Sequence, residues 1–305
     1  MRIAIIGSNG MLSAALTKGF FTKGHEVDVY GLQAPNGYEC SSFKEVNLLT
    51  EKLDYSELIK NDAIIYAAGA GVQAALKTDS SLMYALNVNT PIELTLQLKK
   101  LGYLGAYISF GSYMEIGLND EDGKVFVEND VICSKLAVTN DYALSKRLYG
   151  RYMNDFESDF KHWHFILPNM FSYNDIKPGT RLIPYILQYI LNYKSGNSFE
   201  EPSFSAGKQT RQFILLEDLI CLLEKSMSLQ IPSGVYNVGG GEFMSIKSLI
   251  KRIFAYYNVP CQEEYFGKEV RRDGDIKSLR ISGDKLLEVL GYLPSTKIEE
   301  ILPII

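Results

Sequence analysis

Tyr142 and Lys146 stand four residues apart in the run Tyr142-Ala143-Leu144-Ser145-Lys146, and on a helix that spacing puts both side chains on one face. A phenol beside an ammonium reaches its phenolate more easily, so the pair can hand a proton to an oxygen, or take one from it, near neutral pH. Lowering a phenol from its ordinary value of about 10 by about three units takes about 4 kcal/mol. A solvated surface pair cannot supply that; the cation has to be close and partly desolvated. With 20 tyrosines in the chain, about one Tyr-x-x-x-Lys is expected by accident. A second copy, Tyr173/Lys177, lies among Asn174, Asp175 and Pro178, turn signals that argue against a helix. Residues 142–156 read instead as a clean helix with Leu144, Leu148, Tyr152 and Phe156 spaced for burial. Gly111-Ser112-Tyr113 follows the apolar stretch 103–110. A hydroxyl at that strand end can bond the oxygen that Tyr142 serves, or simply cap a turn.

These side chains need a scaffold, and the N-terminal half supplies the pattern of one. The apolar strand 2–6 ends in Gly7-Ser8-Asn9-Gly10 and runs into a helical pattern over 11–23 that Gly24 stops. Gly7 permits a tight bend, Gly10 lets backbone approach a ligand, and the free N–H groups of the helix start attract a diphosphate. Asn9 and Met11 belong to the same turn, with Ser13 at a third small position where glycine is commonest. Further strands are expected over 25–30 (ending at Gly31), 43–46, 62–69 and 103–110, with helices over 53–60 and 80–100, the latter interrupted by Pro91. This alternation predicts an α/β fold: a Rossmann-type doubly wound parallel sheet with helices on both faces. Ligands in such sheets bind beyond the carboxyl ends of the strands, so Gly7, Gly31, Gly69 and Ser112 should line one crevice. From about Asn174 the rhythm changes to helices mixed with short segments such as 207–214, 234–238 and 276–281. We therefore expect residues 1–173 to form the dinucleotide-binding domain and 174–305 mainly a smaller mixed α/β C-terminal substrate lobe, with some chain exchange between them.

Composition narrows the ligands. The 305 residues carry 46% hydrophobic side chains and a net charge of -5. That is ample for a core and gives no basic footprint for nucleic acid. Four scattered cysteines and three histidines suggest neither a disulfide framework nor a metal site. No run approaches the ~18 apolar residues of a membrane span, and the expected location is cytoplasmic.

The glycine turn, Ala67-Ala68-Gly69, Asn87-Val88-Asn89, Ser112 and Tyr142/Lys146 occur in an order that resembles the extended short-chain dehydrogenase/reductases, specifically the nucleotide-sugar epimerase, dehydratase and reductase group. The likeness runs through nearly the whole chain. Arg211-Gln212-Phe213-Ile214 with Asp218 resembles that group's Arg-Asp-Phe strand, with Gln212 in place of aspartate; Tyr236-Asn237-Val238-Gly239 resembles its late strand, and Arg271-Arg272-Asp273-Gly274-Asp275 its basic turn. The resemblance implies that Tyr142 is the general acid/base, Lys146 its tuner and a ribose ligand, and Ser112 the partner that orients the substrate oxygen. It implies that Gly7, Asn9, Gly10, Met11, Gly31, Asn47, Leu48, Ala67, Ala68, Gly69, Asn87, Tyr142 and Lys146 surround the cofactor, with Asn47 and Leu48 near adenine. Asn169, Arg181, Leu182, Arg211, Phe213 and Arg272 match positions that hold the substrate's nucleoside diphosphate. Separated arginines suit phosphate oxygens, although surface salt bridges are their ordinary alternative.

Two departures refine the expectation. At Gly31 no carboxylate holds a ribose 2′-hydroxyl, which favours NADP(H), with NAD(H) the alternative because no arginine follows. Tyr113 and Met114 stand where sugar 4,6-dehydratases carry an acidic pair, which disfavours dehydration. The reading is thus an NADPH-dependent 4-ketoreductase of a nucleotide-linked 4-keto-6-deoxysugar, supported by a resemblance of Leu182-Ile183-Pro184-Tyr185-Ile186 to bacterial 4-keto-sugar reductases. The alternatives are an NAD-dependent nucleotide-sugar epimerase and a non-catalytic dinucleotide-binding or sensing protein; intact Ser112, Tyr142 and Lys146 argue against the last. A homodimer formed through the 142–156 and 80–100 helices is the family's expectation.

Overall fold

β1 (Arg2–Ile6) is buried along its Ile3-Ala4-Ile5-Ile6 run, as a strand covered on both faces must be. In this computed structural model, which describes all residues except 72–77, 173–180, 198–199, 272–275 and 304–305, β1 turns at Gly7 into α1 (Met11–Thr22) and returns as β2 (Glu26–Gly31) and β3 (Ser42–Glu45). The short α2 (Tyr55–Leu58), N-capped by Asp54, leads to β4 (Ala63–Tyr66) and then α3 (Ser80–Tyr84). A π turn (Ala85–Asn89) joins α3 to α4 (Thr90–Lys100), which is followed by β5 (Ala106–Ser112) and a 3-10 turn (Tyr113–Ile116). α5 (Glu128–Ile132), α6 (Asp141–Asp155) and β6 (Lys161–Leu167) complete this half.

The remaining elements are β7 (Asn169–Phe171), α7 (Leu182–Lys194), β8 (Thr210–Leu215), α8 (Leu216–Leu229), β9 (Gly234–Asn237), β10 (Glu242–Ser245), α9 (Ile246–Tyr256), β11 (Ser278–Leu279) and α10 (Asp284–Leu290). Among the described residues the large sheet is seven-stranded, in the order β3-β2-β1-β4-β5-β6-β9, and every pairing is parallel. The strand order reverses between β1 and β4, which is where a doubly wound sheet opens its crevice. A smaller sheet runs β10-β8-β11 with β7 also on β8; only β10 is antiparallel there. β9 comes from beyond residue 174 yet closes the edge of the large sheet against β6. α8 likewise packs on α1, so closely that a methyl group on Gly19 would lie 2.5 Å from Ile220.

Two elements differ from their sequence pattern for identifiable reasons. The expected 80–100 helix is three pieces, because Pro91 lacks an N–H and its ring crowds the carbonyl four residues back. The chain answers with a wider turn in which the Thr90 N–H reaches Ala85 O, five residues back. In α6 the expected inward stripe is only partly inward: Leu148 is 42% exposed, Leu144 and Tyr152 are half-buried, and of the four only Phe156 is buried. The face on the sheet is Ala143, Ser145, Tyr149, Gly150 and Met153, whose small members let the helix approach β5. Among the described residues no helix is long and apolar enough to cross a membrane.

Candidate active site

The cofactor side of the crevice is built from backbone approaches that side chains would block. Gly7 has φ 118, and a Cβ there would sit 2.9 Å from Ala68 N, so the β1 turn lies directly against Ala67 and Ala68. Gly10 precedes α1, whose first N–H groups no side chain caps; such a helix start suits a diphosphate. Ser13 fills its small position with a use of its own, donating to Ser8 O at 2.8 Å and Gly10 O at 3.1 Å and so tying the turn together. Met11 opens α1, and Asn9 holds the neighbouring loop by donating to Ala34 O at 3.0 Å and accepting from Asn36 N at 3.0 Å. Gly31 ends β2 with Ser8 Oγ at 2.6 Å from where its Cβ would be. Its lack of a side chain therefore has a packing cause that the sequence did not reveal. Asn47 and Leu48 follow β3, Leu48 partly buried against the core. These residues fit a dinucleotide: open helix donors, a bare turn and a backbone wall at Ala67–Gly69.

The Asn87 amide accepts from Ala70 N and donates to Ala70 O and to Ser145 Oγ, each at 3.0 Å. It thus ties the residue after the Ala67–Gly69 wall to α6.

At the carboxyl end of β5, Ser112 caps the following turn by accepting from Met114 N at 3.3 Å. α6 begins at Asp141, with Asn140 accepting from Ala143 N at 2.9 Å, and this cap fixes where Tyr142 and Lys146 emerge. The Ser112 hydroxyl is a polar neighbour of the Tyr142 hydroxyl that favours its ionised form. Lys146 Nζ donates to Phe110 O at 3.0 Å and lies 4.0 Å from the Cβ position of Gly69. Ser112, Tyr142, Lys146 and the Ala67–Gly69 wall therefore meet in one place. Burial pushes the Tyr142 hydroxyl up to about 12, against the neighbouring Ser112 hydroxyl, which lowers it, with Glu115 raising it further. Burial lowers the Lys146 ammonium to about 8, opposed by Glu115. The expected lowering of the phenol by its lysine is thus not produced by the protein's own groups: they keep Tyr142 protonated, as a proton donor.

The substrate side is reached through register. Leu167 pairs with Ser112 across β5 and β6, and two residues later Asn169 pairs with Phe213 across β7 and β8. Arg181, immediately before Leu182 at the start of α7, donates to Met170 O at 3.2 Å. Arg211 is only 3% exposed, and its guanidinium donates to Thr210 O at 2.8 Å and Ile276 O at 3.0 Å. It braces β8 to the segment before β11. Gln212, where the resembling strand has aspartate, donates to Gly240 O at 2.7 Å and accepts from Ile281 N at 2.9 Å. Arg272 and the Tyr173/Lys177 pair lie outside the described residues.

Sequence reasoning missed the group beneath Ser112. Glu115 is fully buried and accepts the Ser112 N–H at 2.6 Å, completing a capping box. The Ser112-x-x-Glu115 spacing of a capping box is its signal in the sequence.

A doubly wound sheet with Ser112, Tyr142 and Lys146 beside a glycine turn defines an extended short-chain dehydrogenase/reductase. Residues 3–239 match the model of the NAD dependent epimerase/dehydratase family, and the chain belongs to it. A curated relative, UDP-glucose 4-epimerase of Rhizobium leguminosarum bv. trifolii, is 26% identical over 185 residues, covering 56% of this chain and 51% of that protein. The chain thus matches about half the length of that relative. Among solved structures, UDP-glucose 4-epimerase of Thermotoga maritima with UDP-glucose superposes with a TM-score of 0.78 at 16% identity, covering 98% of this chain and 96% of that one. The Bordetella bronchiseptica enzyme WbmG in complex with NAD gives 0.74 at 19% identity, covering 99% and 91%. At these identities the superpositions speak for the fold.

Proposed function

We propose that the protein reduces the 4-keto group of a nucleotide-linked 4-keto-6-deoxysugar with NADPH. What supports this is the meeting of Tyr142 and Lys146 on α6 with Ser112 at the end of β5, where burial keeps the Tyr142 hydroxyl protonated. A reductase needs a proton donor there. The nicotinamide supplies hydride to the keto carbon when bound. Tyr142 gives its proton to the oxygen as negative charge develops on it, Ser112 bonds the same oxygen, and Lys146 supplies positive charge beside the tyrosine. Dehydration is disfavoured because Tyr113, which is buried, and Met114, which is apolar, stand where an acidic pair would serve it.

For the cofactor, Gly31 itself carries no carboxylate to repel a 2′-phosphate, while the neighbouring β3 brings both Lys44, 5.3 Å over the Tyr30 ring, and Glu45, in register with Gly31, to that strand end. Asn169, Arg181, Leu182, Phe213 and Arg272 are assigned to the nucleoside diphosphate, with Arg211 bracing their strand. Residues 1–173 carry the dinucleotide and 174–305 mainly the substrate.

The name of the Rhizobium relative favours a second reading, a nucleotide-sugar 4-epimerase that retains its cofactor. Incubating the protein with NDP-4-keto-6-deoxysugars and NADPH separates the two. Stoichiometric NADPH loss with a 4-hydroxy product supports reduction; interconversion of 4-epimers of an NDP-sugar with no net cofactor change replaces it. Tighter binding of NADH than NADPH would overturn the cofactor assignment.

A further inference from the structure

The Glu115 carboxyl sits in a space that the sequence keeps clear. A Cβ on Gly111 would come 2.5 Å from Glu115 Oε1 and 2.7 Å from His164 Nε2, and one on Gly150 would come 2.8 Å from Glu115 Oε2. Two glycines, on β5 and α6, thus make room for two polar ends. Oε1 holds the Ser112 N–H. Oε2 and the facing His164 Nε2 have no hydrogen-bond partner among the described residues, whereas His164 Nδ1 is engaged with Ser109 Oγ at 2.9 Å. Orphaned buried polar atoms are costly, and an apolar side chain would fill the same space without that cost. A carboxyl kept there, under the catalytic serine, points to a role in the chemistry.

Its neighbours define that role. From α6, Tyr142, Lys146 and Arg147 face it electrostatically, and Arg147 donates to the Glu115 backbone carbonyl at 2.7 Å. From β6 only the neutral ring of His164 faces it among the described residues; burial holds that ring down to about 3. We propose that Glu115 is a positioning residue of the proton relay: its carboxyl fixes the Ser112 backbone, and the proton it exchanges with solvent sets how tightly Tyr142 keeps its own. This rests on the reading of Tyr142 as the proton donor. A charged Glu115 makes the phenol a weaker acid and a neutral one makes it a stronger acid, because Glu115 raises Tyr142 only by its charge.

The test labels serine with ¹⁵N and follows the Ser112 amide from acid to alkaline pH in the full chain, alongside the pH profile of kcat. In the wild type the amide shift moves with a midpoint near 7, where burial sets the Glu115 carboxyl, and kcat falls across the same range. Glu115→Gln keeps an acceptor but cannot ionise, so both changes vanish while KM and cofactor affinity hold. Glu115→Asp keeps an ionisable group but shortens its reach, so the pH dependence remains and kcat drops about 10- to 100-fold. An amide that does not titrate in the wild type, or still titrates in Glu115→Gln, overturns the proposal. Loss of the pH dependence in Glu115→Asp overturns it as well. If the Ser112 amide titrates as stated but no 4-keto sugar is reduced, the proposed function fails and the positioning of Ser112 by Glu115 stands.

Discussion

Ser112, Tyr142 and Lys146 were legible because their chemistry depends on spacing, and spacing on a helix or after a strand is visible in sequence. Glu115 was not, because a Ser-x-x-Glu box reads as surface turn chemistry until the fold shows it buried. Gly31 was legible as a glycine while its cause, the Ser8 hydroxyl occupying the side-chain position, needed the fold. At this scale Glu115 also links stability to pH. Burial raises it from 4.5 to about 7, so the folded state holds its proton where the unfolded chain has released it. Its stabilising contribution is whole below the unfolded value and is lost as pH rises through about 7, a change on the order of 3 kcal/mol. Denaturant melts should show the wild type's margin over Glu115→Gln shrinking across that window; a margin independent of pH would contradict it. Gly150→Ala forces a methyl group to 2.8 Å from Glu115 Oε2. It should cost about 1–3 kcal/mol by overpacking, read as a lower denaturation midpoint, and an unchanged midpoint would show the space to be slack.

Elements were legible where period and punctuation agreed. The βα alternation and the glycine ends of β1, β2 and β4 were predicted near their observed positions. α6 was predicted too, but its face was not: two apolar stripes compete on that helix, and periodicity cannot say which meets the sheet. The interruption at Pro91 was expected, whereas the π turn is how the chain resolves it, and that turn carries the fully engaged Asn87. Pro91→Ala removes the ring clash and favours a regular helix through 85–89, which rotates Asn87 off the Ala67–Gly69 wall. Calorimetric titration should then give weaker dinucleotide binding; wild-type affinity would mean that the π turn is not what holds the wall.

At the scale of the molecule, the change of rhythm near Asn174 marked the substrate lobe, but no local pattern could assign β9 to the large sheet, since that pairing spans distant segments. The homodimer expected from the sequence would use the exposed faces of α4 and α6. Leu96 on α4 is 51% exposed and Leu148 on α6 is 42% exposed. A shallow depression lined by Leu96, Lys99, Arg151, Tyr152, Asp155, Phe156 and Glu157, apolar and charged side chains together, lies toward the end of α6 far from Tyr142. Such a face suits a second copy of the chain, the proposed homodimer. Light scattering on a sizing column should report a dimer that Leu96→Glu with Leu148→Glu converts to monomer, and a wild-type monomer would remove the proposal. The central claim concerns the proton donor, and Tyr142→Phe tests it most directly, with NADPH and the 4-keto sugar that the wild type reduces. The expected result is a kcat about 10²- to 10⁴-fold lower; turnover at the wild-type rate would contradict the account.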